Sequence, residues 1–308
     1  MSKSFDDLLV RLSQVEKKKV AVAVAQDDEV LLAVKAAKER GIADSILVGD
    51  VDLIKPIAEE IGMNLDEYDL IDVKDKIEAA HEAVKLVHDG KADMYMKGLI
   101  DTKDFLRSVL DKEVGLRTGK PLSHVCVFEI EGVDHLLFLT DVAFVPYPTL
   151  EDKASIIKNT VEICNACGIE NPKVAPLAAV EVVNPKMPAT VEAAELTKMN
   201  EEGQITGCIV DGPLSFDLAT CPEAAQHKGA TGRKIVGDAD VVLFPDIHAG
   251  NITYKALVHY AKVKNGNLIT GTAAPVILTS RSDSYEVKMN SLALGAVVAE
   301  AMKKNVAE

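Results

Sequence analysis

Three times in this chain a Gly-x-Ala-Asp tetrapeptide leads straight into a short apolar run: GIADSILVGD from Gly41, GKADMYMKGL from Gly90 and GDADVVLFPD from Gly237. Glycine tolerates the left-handed conformation that ends a helix, and a short polar loop then feeds the next strand. A chain built on such corners must alternate helix with strand, and from Lys19 onward it does. VAVAVA (20–25) has buried-strand composition, DEVLLAVKAAKER (28–40) has helical period, and SILVG (45–49) is the next strand. Helices are expected near 51–62 and over 75–88, and a strand over 93–98. The fold class is α/β with a doubly wound parallel sheet, and ligands of such sheets collect beyond the carboxyl ends of the strands.

HVCVFEIEGVDHLLFLTD (124–141) breaks the rhythm, because two strands meet through Glu131 and Gly132 with no helix between them, as in a hairpin. Past the prolines of VPYP (145–148) a second series begins, with a helix over about 150–167 and strands near 174–180, 205–212, 240–246 and 267–272. A chain of 308 residues suits two domains, and the boundary is placed here. The closing helix, about 285–303, is apolar at Val287, Leu294 and Val298 and needs a sheet to lie on, which either domain could supply.

The net charge of −14 argues against nucleic acid as a partner, since phosphate backbones need a basic footprint. An anionic small ligand would need a local cluster of cations against that global field. No apolar run reaches the roughly 18 residues of a membrane span, and the first residues hold acids and lysines where a signal peptide would be apolar. The expectation is no membrane partner and a cytoplasmic location. Five cysteines, 126, 164, 167, 208 and 221, lack a framework spacing and are expected as reduced thiols. The C-x-x-C at 164–167 ends a helix, where the dipole disfavours a thiolate, so both read as ordinary thiols, and no metal site is expected.

Candidate chemistry gathers at the strand ends. In MKGLIDTKDFLRSVL (96–110) a strand closes on Lys97 and Gly98, then a helix opens with Thr102 as candidate N-cap and carries Arg107. Each cation alone reads as solvated charge; together at a strand end they make a reasonable anion clamp. IVDGPLSFDLA (209–219) closes a strand on Asp211 and Gly212, with Ser215 and Asp217 beyond. VVLFPDIHAGNITYKAL (241–257) gives strand, Pro245, Asp246, a Gly250-Asn251 turn and a helix bearing Lys255; Asp246 and Asn251 also suit simple turn capping. His248 is a loop histidine with acid–base potential. GATGRK (229–234) offers amides and two cations for an anion, whereas GLRTGK (115–120) lacks the phosphate-loop spacing. TSRSDS (279–284) sets Arg281 between a strand and a helix start, and Asp283 and Glu286 have capping-box spacing.

MKGLIDTKDFLR, VDGPLSFDLA, VLFPDIHAGNITYK and TSRSDS, in this order, resemble the phosphate acetyl/butyryltransferase family, most closely its phosphate butyryltransferase branch. The resemblance implies two doubly wound α/β domains with an interdomain cleft, of the isocitrate/isopropylmalate dehydrogenase type. Its C-terminal segment returns to the first domain, which gives 1–144 plus 276–308 as the first and 145–275 as the second. It implies reversible acyl transfer between CoA and orthophosphate by direct attack in a ternary complex, acting as a homodimer or higher homo-oligomer. Acyl-CoA, orthophosphate and acyl phosphate would be the partners, and no cofactor is tightly bound.

Carried over by position, Ser280 and Arg281 match the family's Ser-Arg pair for the phosphoryl group and developing oxyanion, and Arg107 a second anion contact. The acetyl branch places a base Asp where this chain has Val287. Asp283 and Glu286 are the nearest carboxylates; Asp283, in the loop, is the preferred candidate beside the helix-support role of both. Lys97, Gly98, Thr102, Asp211, Gly212, Asp246, Asn251 and Lys255 are the expected substrate-binding set. Alternatives are acetyl-CoA as substrate, a decarboxylating dehydrogenase needing NAD(P) and a divalent metal, and a non-catalytic acyl-CoA-binding domain.

Overall fold

The computed structural model describes residues 2–230, 232–281 and 283–307. The chain forms two compact units. The first comprises Phe5–Lys120 and the chain from Asn265 onward, and the second comprises Pro121–Lys264 with the short N-terminal segment ending at Ser4. Among the described residues no helix is long and apolar enough to cross a membrane.

In the first unit the order is α1 (Phe5–Leu12), β1 (Lys18–Ala23), α2 (Asp28–Glu39), β2 (Ala43–Gly49), α3 (Val51–Glu60), β3 (Asp69–Asp72), α4 (Lys76–His88), β4 (Met94–Lys97) and α5 (Thr102–Val109). The C-terminal part returns with β10 (Val263–Thr270), β11 (Val276–Ile277) and α11 (Tyr285–Ala307). Strands run in the order β3-β2-β1-β4-β11-β10. All neighbours are parallel except the pair β10 and β11. The apolar, β-branched run of β1 is buried along almost its whole length, as a central parallel strand must be. From β1 the chain winds outward to β2 and β3, then crosses to β4 on the other side, which makes the β1/β4 boundary the point where the winding reverses.

The closing helix α11 packs against α1, α2 and the strands of this unit, which settles which sheet it needs. Its attachment includes a buried cation: Lys18 Nζ, at the start of β1, lies 2.6 Å from Glu300 Oε2 and donates to the Glu16 carbonyl at 3.0 Å. The Lys18 side chain is 1% exposed.

The second unit opens on the antiparallel hairpin β5 (Ser123–Ile130) and β6 (Leu137–Thr140) and continues with α6 (Leu150–Ala166), β7 (Lys173–Pro176), α7 (Pro188–Glu201) and β8 (Ile209–Val210). Two short helices, α8 (Phe216–Thr220) and α9 (Pro222–His227), precede β9 (Val241–Leu243) and α10 (Ile247–Tyr260). Within the unit the order is β5-β6-β9-β7-β8, parallel from β6 onward. The expected boundaries after 144 and 275 therefore differ from these units. β6 pairs with β9, which draws the hairpin into the second unit, and β10 pairs with β11, which brings the return crossing forward.

The Gly-x-Ala-Asp repeat does more than turn the chain. Gly41 and Gly90 take φ of +71° and +72° just after α2 and α4, as helix-ending glycines should. Gly237 does not follow a helix; its Cα faces Cys221 and Pro222, where a Cβ would come within 2.3 Å of the Pro222 nitrogen. The aspartates also tie strands: Asp93 accepts from Lys19 N at 2.7 Å and Asp240 from Lys173 N at 2.8 Å, each gripping the opening residues of a neighbouring strand. Cys164 and Cys167 are buried at the end of α6, and burial pushes the Cys164 thiol well above its ordinary range.

Lys18 holds the Glu300 carboxyl below its ordinary value, first through the hydrogen bond between them. That stability is present above the unfolded carboxyl value near 4.5 and is lost as pH falls through the lower folded value. Glu300→Gln, which removes the counter-ion of the buried Lys18 ammonium, is expected to destabilise the protein by about 3 kcal/mol. Urea denaturation near neutral pH checks the loss, which should shrink on acidification.

Candidate active site

In the first unit the carboxyl ends of β1, β4 and β11 converge. Gly98 N donates to the Ala23 carbonyl at 2.9 Å and Leu99 N to the Val24 carbonyl at 2.8 Å, so the chain leaving β4 is laced onto the end of β1. Only glycine fits at 98, because a Cβ would stand 2.2 Å from the Val24 oxygen and 2.5 Å from that of Ala23. Val24 itself takes φ +57°, a left-handed conformation that a β-branched residue adopts only where its surroundings enforce it, at about 1–3 kcal/mol.

Lys97 closes β4 and is 4% exposed, so its reading as a solvated surface charge gives way to a buried one. Its ammonium has the Gly98 carbonyl at 3.4 Å, a long contact. Burial pushes Lys97 below the ordinary lysine value; Arg281 and Lys288 add to that, while Asp27 and Asp101 oppose it.

Arg281, past the end of β11, is ion-paired with Asp101 and keeps its side chain 60% exposed. Asp101 is the N-cap residue of α5, so Thr102 is the first helical residue and not the cap expected. The Asp101 carboxylate makes no capping bond, because it is turned to Arg281. Asp283 accepts from Ser280 N at 2.7 Å, and the Asp283 N–H donates to the Ser280 carbonyl at 3.2 Å, closing the Ser-Arg loop on itself. Burial raises the Asp283 carboxyl above its ordinary value, against the Ser280 amide, Lys288 and Lys97. Asp283 is therefore not the capping-box residue its spacing suggested. The Ser284 carbonyl accepts from Lys288 N in the first turn of α11, and Glu286 is held low chiefly by the Ser284 hydroxyl.

Lys288, 3% exposed, was missed by sequence reading. Its ammonium donates to the carbonyls of Asp283 and, at 3.5 Å, of Ser280, fixing the loop from the helix side. Arg107 stands apart from these contacts: it pairs with Asp104 at 3.0 Å, 63% exposed, in a groove shared with Lys103, Leu110 and Lys112. Ser282 lies outside the described residues, as does Thr231 of GATGRK.

In the second unit most predicted binding residues already hold the scaffold. Asp211, nearly buried after β8, takes Arg233 through both oxygens at 2.9 and 3.2 Å and also accepts from Lys234 N and Ile235 N. Lys234 pairs with Glu201, so both cations of GATGRK are engaged by carboxylates. Gly212 has its N–H and carbonyl bound by the Thr197 hydroxyl, with Pro176 too close for a side chain. Ser215 and Lys228 meet at 3.1 Å, with Glu181 and Asp217 around them.

Asp246 caps α10 through His248 N and Ala249 N. Gly250 and Asn251 lie inside α10, not in the expected turn, because Gly250 lets the helix close on the Asp141 carbonyl, which a Cβ would meet at 2.3 Å. Asn251 then reaches the Val142 carbonyl at 3.0 Å. His248 is helical too, with Nε2 at 2.8 Å from the Tyr147 hydroxyl, and Lys255 is exposed on the same helix. Asp141 is a further residue that sequence reading missed: its carboxylate gathers the amides of His124, Ala143, Phe144 and Val145. A polar residue directly after an apolar strand was its one signal.

A loop that carries an exposed arginine and a serine, set between the buried Lys97 of β4 and Lys288 of α11 beside the winding reversal of a parallel sheet, is built to receive an anion. The model of the family described as Phosphate acetyl/butaryl transferase matches residues 4–81 and 73–296. The chain belongs to this family. A phosphate butyryltransferase of Clostridium acetobutylicum is 58% identical over 299 residues, 97% of this chain and 99% of that protein. A phosphate acetyltransferase of Thermotoga maritima is 45% identical over 96% of this chain and 100% of its own. A solved structure of a branched-chain phosphotransacylase from Enterococcus faecalis V583 superposes with a TM-score of 0.82 at 36% identity, covering 92% of this chain and 99% of that one. The chain is thus a phosphate acyltransferase with the α/β fold expected of it.

Gly98→Ala is expected to push β4 off the end of β1 and cost activity more than stability, since the displaced atoms are those at the site. Turnover should fall at least about tenfold, a shift of over about 1.4 kcal/mol, measured beside the urea midpoint.

Proposed function

We propose that this chain catalyses the reversible transfer of a butyryl or similar short acyl group between coenzyme A and orthophosphate, with the Ser280–Arg281 loop holding the phosphoryl group. The observation that carries this is the anchoring of Arg281. Asp101 steadies its guanidinium at the mouth, while Asp283 and Lys288 fix the loop that bears it, so the charge is placed before substrate arrives.

In the acyl-phosphate-forming direction a phosphate oxygen attacks the thioester carbonyl carbon. The C–O bond forms, the C–S bond breaks through a tetrahedral oxyanion, and the CoA sulfur leaves. Arg281 offers two parallel N–H donors to phosphate, and the Ser280 hydroxyl is the partner for the oxyanion. Fixed charge and placement supply such a reaction without a covalent enzyme intermediate. Arg107, on the exposed face of α5, serves the anionic groups of CoA as they enter.

Asp211, Gly212, Asp246 and Asn251 act by holding the second unit's strand ends, and Lys255 as surface charge toward CoA. Asp283 acts as a positioning residue for Ser280. The enzyme works in the cytoplasm as a homodimer or higher homo-oligomer, with CoA and phosphate as substrates and no tightly bound cofactor. The butyryl preference follows the 58% identity to the Clostridium acetobutylicum enzyme; the 45% identity to an acetyltransferase makes acetyl-CoA the competing substrate.

Phosphate-dependent CoA release across acetyl-, propionyl-, butyryl-, isobutyryl- and valeryl-CoA tests the reading, and kcat/KM should peak at four carbons. Arg281→Ala should lower kcat by about 10²–10³-fold; turnover near that of the unmodified enzyme would overturn the role given to Arg281.

A further inference from the structure

Thiol and phosphate must exchange a proton in this reaction, and the three aspartates around Lys97 and Arg281 each already hold a partner. Asp27 caps α2 by accepting from Val30 N at 3.0 Å, Asp101 is paired with Arg281, and Asp283 accepts from Ser280 N. Position 287, in the first turn of α11, holds valine. Among the described residues at these strand ends, Lys97 closes β4 without a carboxylate bound to it. Lys97 is 4% exposed, and its ammonium has a single long contact to the Gly98 carbonyl.

Resting on the acyl-transfer reading, we propose that Lys97 is a catalytic residue that carries the proton between the CoA thiol and the phosphate. When CoA attacks acyl phosphate, neutral Lys97 Nζ takes the S–H proton as the sulfur forms its bond to the acyl carbon. The carbon–oxygen bond to phosphate breaks, and the Lys97 ammonium gives the same proton to the departing oxygen. Acyl phosphate dianion and CoA thiol thus become thioester and hydrogen phosphate dianion, with Lys97 restored. In the reverse direction the proton travels from hydrogen phosphate through Lys97 to the leaving sulfur.

The surroundings suit this task. Arg281 faces Lys97 from the loop after β11 and Lys288 from α11, and both oppose its charging. Asp27 before α2 and Asp101 before α5 oppose them, and Asp283 is within electrostatic range. A buried lysine flanked by cations gives up its proton more readily than a surface one, which is what a lysine base requires. Arg281 supplies positive charge beside it. The close approach of Gly98 to Val24 holds Lys97 at the strand end, so the carrier is placed by backbone geometry.

The test compares Lys97→Arg, Lys97→Met and Lys97→Ala in the full-length enzyme, assayed by CoA consumption with butyryl phosphate. Arginine keeps the charge and cannot carry the proton, so both Lys97→Arg and Lys97→Met should lower kcat by about 10²–10⁴-fold. Lys97→Ala should regain turnover with added methylamine or ethylamine, in proportion to the unprotonated amine, and gain nothing from tetramethylammonium. Lys97→Arg with kcat near that of the unmodified enzyme, or a folded Lys97→Ala enzyme indifferent to amines, would overturn the proposal. If the unmodified enzyme released no CoA from any acyl-CoA with phosphate, acyl transfer itself would fail, and this inference with it.

Discussion

The lacing of Gly98 and Leu99 onto the carbonyls of Ala23 and Val24 sets the geometry on which the site depends. Two strands diverge at the winding reversal of a parallel sheet, and here two backbone hydrogen bonds draw their ends together beyond the last ladder pair, Ala23 with Lys97. The cost is a left-handed valine and a position where only glycine fits. What it secures is a lysine held buried at the strand end, beside a loop whose Arg281 reaches Asp101 from 180 residues further along the chain.

That loop answers the electrostatic problem raised by a net charge of −14. An acidic protein binding phosphate must concentrate positive charge locally, and Lys97, Lys288 and Arg281 do so from a strand, a helix and a loop. The cations differ in what limits them. Lys288 is spent on the carbonyls of Ser280 and Asp283, Arg281 is steadied by Asp101 yet still exposed, and Lys97 has little but its burial. Aspartates shape these cation-bearing loops, Asp283 by accepting from Ser280 N and Asp211 by accepting from Lys234 N and Ile235 N.

Much of this was legible in sequence because it is local. The period of α2, α4, α6 and α10, the hairpin through Gly132, and the helix-ending Gly41 and Gly90 each depend on neighbours within a turn or two. β3 escaped notice because Asp69–Asp72 is short, bounded by acids and only half-buried at the sheet edge. Gly250-Asn251 read as a turn because that pair usually marks one, yet packing against the Asp141 carbonyl carries the helix through it. The domain boundary moved for a related reason, since a hairpin's partner strand is chosen by pairing with distant β9 and not by the hairpin itself.

The sequence alone determined the alternation of strand and helix, and the strand-end motifs MKGL, VDGP, FPDI and TSRS that mark the family. Those are patterns of adjacent residues, and local sterics suffice to read them. Tertiary structure decided which of the marked residues gather around Arg281 and which hold the scaffold. Lys288 looks like any helical surface lysine until α11 lies on α2, and Thr102 reads as the cap until the helix starts there and Asp101 turns to Arg281. Burial and charge pairing are properties of groups brought together from far along the chain, so the surroundings of Lys97 exist only once β1, β4 and the loop after β11 have met.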